Sequence, residues 1–455
     1  MKSYTLDWNR YTALARDTVA EGCVLLKNEN KTLPILKGET AAVFGRIQLD
    51  YYKSGTGSGG MVNVNYVHGI LDGLKACKDI SVNEELLDIY ENWCKENPIE
   101  KGTGWAGEPW SQAEMPLTEE VVTIAAAKSD IAVVIIGRTA GEDQDNKREA
   151  GSYYLTDLEK DLLSKVCAGF KRVAVVLNVG NIIDMSWVEE YKPSSVLYAW
   201  QGGMEGGMGV ADVLTGVVTP SGKLTDTIAY NLADYPSDAN FGDAVTNLYE
   251  EDIYVGDRYF ETAAKEKGQY PFGFGLSYTT FSMETKFCEG EKDVTLKVTV
   301  TNTGKTAGKE VVQVYLNPPQ GLLGKPLKNL AAFKKTKTLK PGESEVLEVA
   351  IEKYMFGSYD DSGITGHKSC YVLEAGSYEF YVGADVRSAA FAGSFTVEEL
   401  IVTGRLSEAM VPVADFARMK PQVNENGTFT MVMENVPTRS IDMEVRRKAN
   451  LPLCL

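Results

Sequence analysis

The 455-residue sequence predicts an α/β fold: a layered α/β sandwich on a mostly parallel sheet, followed by an antiparallel β-sandwich. Three observations carry this. Ile131-Ala132-Val133-Val134-Ile135-Ile136 and Val173-Ala174-Val175-Val176-Leu177 are apolar at every position, as in parallel strands covered on both faces. Between them Leu158, Leu162, Val166 and Phe170 recur at helical spacing, which makes strand, helix, strand a βαβ unit. After about residue 286 the hydrophobic period falls from about 3.6 residues to about 2, the pattern of half-buried strands.

The elements follow in order. Leu14, Ala15, Val19, Gly22, Cys23 and Leu26 form one helical stripe, and Ala41-Ala42-Val43-Phe44 reads as a short buried strand. Thr156 and Glu159 have the spacing of a capping box at the start of the βαβ helix. Ser195-Val196-Leu197-Tyr198-Ala199 supplies a further strand. In the second part Val294, Leu296, Val298 and Val300 alternate with polar residues, and Asn302-Thr303-Gly304 marks a turn. The stretches 311–315, 345–349 and 378–382 continue the pattern between Gly and Pro turns. The chain therefore divides into 1–285, an α/β domain; 286–390, a β-sandwich; and 391–455, a polar connector or wrapping tail ending near Arg446-Arg447-Lys448.

Composition narrows the function classes. Lys and Arg total 46 against 63 Asp and Glu, a net charge of −17, which disfavours nucleic acid phosphates and anionic membranes as partners. Neutral ligands, sugars among them, remain. The first residues lack a signal-peptide pattern, and seven scattered cysteines without a CxxC pair fit a reduced, cytoplasmic setting. With only two histidines, a Cys/His zinc site has nothing to build on, and no cofactor is implied.

Two loops carry candidate chemistry. Ser54-Gly55-Thr56-Gly57-Ser58-Gly59-Gly60 looks like a phosphate cradle, but the stretch from Arg46 to Lys53 separates it from the preceding strand and no Gly-Lys-Ser/Thr ending follows. A flexible surface loop and a loop that approaches another ligand are the alternatives. The acidic stretch from Gly137 to Glu149 follows the strongest strand, at the sheet edge where α/β proteins collect ligands. Its composition also suits a solvated surface, and its spacing does not meet the requirements of a calcium loop. Asp7-Trp8 reads as surface packing.

At these residues the sequence resembles glycoside hydrolase family 3, the β-glucosidase family. The resemblance runs in order through Leu25-Leu26-Lys27-Asn28-Glu29, Asn178-Val179-Gly180, Ala199-Trp200-Gln201-Gly202-Gly203-Met204-Glu205-Gly206-Gly207, Pro220-Ser221-Gly222-Lys223-Leu224 and the 270–281 segment. Residues 298–304 and 308–315 are similar to the fibronectin-III-like domain that follows in the family. The family's general acid/base lies in a Ser-Gly-Glu-Gly-x-Asp-Arg setting, to which Ala140-Gly141-Glu142-Asp143-Gln144-Asp145-Asn146 is similar. The resemblance thus implies Glu142 as acid/base and Asp145 as the supporting acidic position, with Asp143 and Asn146 departing from the pattern. Lys53 and Ser54 resemble the part of the domain that reaches toward the sugar.

The resemblance also implies a barrel domain bearing an Asp nucleophile in a Ser-Asp-Trp setting, which this sequence does not contain. Some members carry the domains in permuted order with the barrel last, and the tail from Met410 to Leu455 looks like the connector to it. The expectation is half of a retaining β-glucosidase site acting on a small β-glycoside, its partner a barrel polypeptide or another copy in a homo-oligomer. A non-catalytic carbohydrate-binding or assembly fragment is the alternative. Without the barrel, Glu142 should be hydrated and titrate near the ordinary value of about 4.3.

Overall fold

In the computed structural model the described residues are 5–60, 62–142, 145–408 and 410–438. The first part runs α1 (Trp8–Gly22), β1 (Val24–Asn28), β2 (Thr40–Phe44), α2 (Gly57–Gly60), α3 (Ile70–Ala76), β3 (Ser81–Val82), α4 (Glu84–Glu96) and α5 (Glu119–Ala127). It continues with β4 (Ile131–Arg138), α6 (Asp157–Gly169), β5 (Val173–Val179), α7 (Trp187–Tyr191), β6 (Ser195–Tyr198), α8 (Gly206–Leu214), β7 (Ile228–Ala229), α9 (Asp257–Ala263) and β8 (Gly268–Tyr270).

Six strands form one sheet in the order β1-β6-β5-β4-β2-β3. All neighbours are parallel except the edge strand β1, which runs antiparallel to β6. The four strands read from apolar runs are the central ones, β2, β4, β5 and β6. Their alternate residues feed two cores. Ala132, Val134 and Ile136 pack with Leu86, Val122 and Leu162 of α4, α5 and α6. Ile131, Val133 and Ile135 pack with Ala20, Ile70 and Val210 of α1, α3 and α8. A sheet with helices on both faces has no wet side, which is why its strands carry no polar alternation.

The first helix expected through Leu26 ends at Gly22. Cys23 is extended (ψ 131°), and Val24-Leu25-Leu26 enters the sheet as β1. Leu14, placed on the buried stripe by spacing, is exposed, and Ala20 is the buried residue of α1. Asp7, read as surface packing, caps α1 by accepting a hydrogen bond from Arg10 N at 3.1 Å.

The second part is antiparallel: β9 (Phe281–Glu289), β10 (Asp293–Asn302), β11 (Val311–Asn317), β12 (Asn329–Lys335), β13 (Ser344–Glu352), β14 (Ser358–Asp360), β15 (Cys370–Leu373), β16 (Gly376–Gly383), β17 (Ala390–Val397), β18 (Ile401–Arg405), β19 (Ala417–Val423) and β20 (Phe429–Asn435). Sheets β13-β10-β9 and β12-β11-β16-β17 face each other across a core that includes Val298, Val314, Phe380 and Phe395. Strands of this sandwich lie on both sides of the expected 286–390 limits: β9 begins at Phe281 and β17 reaches Val397. The stretch after 390, expected as an extended tail, also forms β18 on β15 and the β19–β20 hairpin. That hairpin turns at Asn424–Thr428, where Gly427 takes φ +78° and donates to Asn424 O at 2.9 Å. Arg418 ties it to Asp252 and Asp361 and pairs across it with Glu434. Arg446-Arg447-Lys448 lies outside the described residues.

Candidate active site

The acidic loop leaves the carboxyl end of β4, and its base is held from beneath. Arg138, counted among the charges of a solvated loop by composition, is 2% exposed. Its guanidinium donates to both carboxylate oxygens of Glu159 at 2.6 and 2.7 Å, and to Ser152 O and Tyr154 O on the returning side of the loop. Glu159 in turn completes the capping box, accepting from Thr156 N at 2.8 Å while Thr156 Oγ1 accepts from Glu159 N at 3.2 Å. One bidentate pair therefore fixes the start of the loop, its end and the helix after it.

On this base the glycine-rich loop docks. Thr56 N donates to Ala140 O at 2.7 Å, and Thr56 pairs with Gly141 in a parallel bridge. The approach is too close for side chains. A Cβ on Gly55 would lie 1.9 Å from Ala140 O, and one on Gly141 would lie 2.5 Å from Thr56 N. Gly57 takes φ +75°, and a Cβ there would meet Glu142 Cβ at 2.4 Å. The glycines thus serve contact, and the loop is seated rather than free. Glu142 Oε2 accepts from Ser58 N at 2.8 Å and from Ser58 Oγ at 2.6 Å. The N–H that would have greeted a phosphate is given to the chain's own carboxylate.

Glu142 is exposed, in keeping with the hydration expected of it. Its carboxyl departs from the ordinary value expected of it: it is held lower, first by the Ser58 hydroxyl and then by the Ser58 N–H, both of which favour the charged form. Lys53 is half-buried and donates from Nζ to Ser54 Oγ at 3.0 Å and Gly60 O at 3.2 Å, so it braces both ends of the glycine loop. Lys53 O receives Gly203 N at 2.7 Å. Asp145 is exposed on the acidic loop. Asp143 and Gln144 lie outside the described residues. The structure therefore brings Lys53, Ser54 and Glu142 onto two joined loops and leaves Asp145 on the outer part of the second.

Two supports were not visible in the sequence as site residues. Asn178, fully buried at the end of β5, accepts from Tyr52 N at 2.9 Å and donates to Tyr52 O and Trp200 O, fixing the backbone that presents Lys53. Ser58 lies in the glycine loop, for which a phosphate cradle, a flexible surface and an approach to another ligand all stood open, and no residue spacing singled it out. Beside the glycine loop, a cavity of about 500 Å³ is lined by Tyr51, Tyr52, Lys53, Ser54, Gly55 and Gly60 among others. Among the described residues no cluster of three or more His, Cys, Asp or Glu could hold a metal.

Residues 23–278 match the model of the glycosyl hydrolase family 3 C-terminal domain, more than half of the chain. The chain belongs to that family. Residues 310–386 match the fibronectin type III-like domain, which falls on the sandwich. This family 3 chain is 50% identical to a beta-glucosidase of Ruminococcus albus over 447 residues, covering 98% of itself and 46% of the relative. It is 39% identical to beta-glucosidase A of Butyrivibrio fibrisolvens, covering 94% of itself and 56% of that protein. A crystal structure of a beta-glucosidase from Paenibacillus barengoltzii superimposes with a TM-score of 0.95 at 51% identity, over 99% of this chain and 50% of that one. Beta-glucosidase 3B of Thermotoga neapolitana, in complex with glucose, gives 0.80 at 36% identity, over 88% and 56%. The family 3 chain thus spans about half the length of the curated relatives it matches.

Proposed function

We propose that this chain supplies the acid/base half of a retaining β-glucosidase-type site, with Glu142 as the proton-handling group. The observation that supports this is Glu142 seated by the glycine loop at the carboxyl edge of the parallel sheet, in a chain half identical along nearly its whole length to a beta-glucosidase. A carboxylate nucleophile from a barrel domain attacks the anomeric carbon of a small β-glycoside as the bond to the departing oxygen breaks. Glu142 gives its proton to that oxygen. Glu142 then takes a proton from water as the water oxygen displaces the enzyme carboxylate and releases the sugar. Lys53 and Ser54 contribute through the loop they brace, and Asp145 offers a carboxylate to substrate hydroxyls. Mixing the chain with a separately produced barrel polypeptide should give hydrolysis of an aryl β-glucoside that neither gives alone. Glu142→Gln should remove most of it, by about 10²-fold or more. Normal turnover of a poor-leaving-group glycoside by the Glu142→Gln mixture would refute the assignment.

A second reading, a non-catalytic carbohydrate-binding or assembly fragment, is favoured by one observation: Glu142 is exposed and held ionised, the reverse of a tuned acid. Calorimetric titration with glucose showing binding, with no turnover in any barrel mixture, would select it.

A further inference from the structure

We infer that Ser58 is a positioning residue for Glu142, holding Oε2 by two donors and leaving proton exchange with a substrate to Oε1. This rests on the acid/base reading for its purpose, but its geometry stands apart. Both donors of one residue converge on one oxygen, at 2.8 and 2.6 Å. Ser58 and Glu142 are both exposed, and an exposed hydrogen bond adds little to folding stability, so the contact is not there to satisfy a buried group. The seat is nevertheless tightly specified. Gly55 and Gly141 permit the loops to meet, Gly60 packs on Gly55 O, and Gly57, at φ +75°, precedes Ser58 and leaves room for the Glu142 Cβ. Sequence so constrained for an exposed contact points to positioning rather than packing.

The surroundings keep the contact simple. α2 brings no charged side chain to Glu142. From the segment before it comes Lys53, whose ammonium is committed to Ser54 and Gly60. At the base of the acidic loop Arg138 is committed to Glu159, and Asp145 lies exposed beyond. Among the described residues the Ser58 donors alone draw the carboxyl toward its charged form, against a slight opposing effect of burial. Proton donation then requires this hold to loosen as substrate and the second carboxylate arrive, whereas proton acceptance from water is favoured with the hold in place.

The test is a ¹³C NMR titration of the full chain labelled at glutamate carboxyls, with Glu142 identified by its loss in Glu142→Gln. Ser58→Ala should raise the Glu142 midpoint while far-UV circular dichroism and melting temperature stay as in the parent. Gly57→Ala, which drives a methyl into Glu142 Cβ, should raise it as well. An unmoved or lowered midpoint in a folded Ser58→Ala chain would overturn the inference. In the active mixture the alkaline limb of the pH–rate profile should move to higher pH in Ser58→Ala, where a merely structural role would lower rates equally at every pH. If Glu142→Gln leaves turnover intact yet Ser58→Ala moves the midpoint, the acid/base reading fails and the positioning stands. If Glu142→Gln abolishes turnover and Ser58→Ala moves nothing, the reverse holds.

Discussion

Glu114 is a carboxyl with nowhere to put its charge. It is 5% exposed, and its oxygens accept from Arg46 N at 3.0 and 3.2 Å and from Met115 N at 2.8 Å. Burial pushes it up to about 7 from an ordinary 4.5, against the opposing pull of those N–H groups. A folded-state value above the unfolded one means the folded chain binds the proton more tightly. The associated stability is full below about pH 4.5 and is lost as pH rises through 7. From the size of the shift the loss is on the order of 3 kcal/mol. Denaturant melts at pH 5, 6, 7 and 8 should show the parent losing stability relative to Glu114→Gln as pH rises, with the difference levelling off above 7. A difference that is flat with pH would contradict it. Arg46, whose N–H the carboxyl holds, opens the segment that carries the glycine loop, so this proton sits at the root of the candidate site.

At the scale of elements, the pair of Arg138 and Glu159 joins β4, the acidic loop and α6. Arg138→Met leaves a buried carboxylate without its partner and should cost roughly 3–5 kcal/mol by denaturant melts. The double variant Arg138→Met, Glu159→Gln should recover part of that. A single-variant loss below about 1 kcal/mol, as for exposed pairs, would mean the pair is not the anchor described. What the sequence disclosed follows the same physics. β2, β4, β5, β6 and the capped α6 were legible because continuous apolar runs and a Thr-x-x-Glu spacing are local signals. β1 was hidden, since Val24-Leu25-Leu26 also satisfies helical spacing and only the sheet edge at β6 draws it straight. β19 and β20 were hidden because both are half-exposed, and their stability comes from Arg418 reaching Asp252 and Asp361, distant in sequence. Glu142 was singled out as a candidate through family resemblance alone. Ser58 was not, because its partner lies 84 residues away and its orientation depends on the φ of the glycine before it.

Across the whole molecule, the sandwich is fastened to the α/β part by buried and half-buried polar contacts. Gln313, 3% exposed on β11, donates from Nε2 to Gly273 O at 3.0 Å and accepts from Tyr315 at 2.5 Å. Lys223 pairs with Glu310 at 2.8 Å, Glu21 of α1 with Lys309 and Lys335, and Arg387 with Glu261 at 2.9 Å. Gln313→Ala strands a tyrosine hydroxyl and a carbonyl together, which should cost about 1–3 kcal/mol. Calorimetry should then show the unfolding of the two parts drawing apart, with no change in the Glu142 titration. A melt identical to the parent would mean the ion pairs alone carry the docking.

The seat of Glu142 is built from missing side chains, and this bears on how the gene can drift. Every single-nucleotide missense change in a glycine codon installs a residue with a Cβ. At positions 55, 57 and 141 that one carbon lands within 2.5 Å of the opposing loop or of Glu142 itself. Variation in this loop is therefore filtered at its first atom, before the chemistry of the new side chain can matter. Position 59, where a Cβ meets nothing within 4 Å, is free of that filter. A saturation library scored for turnover should accept many residues at 59 and almost none at 57, two neighbours in one short loop under opposite selection.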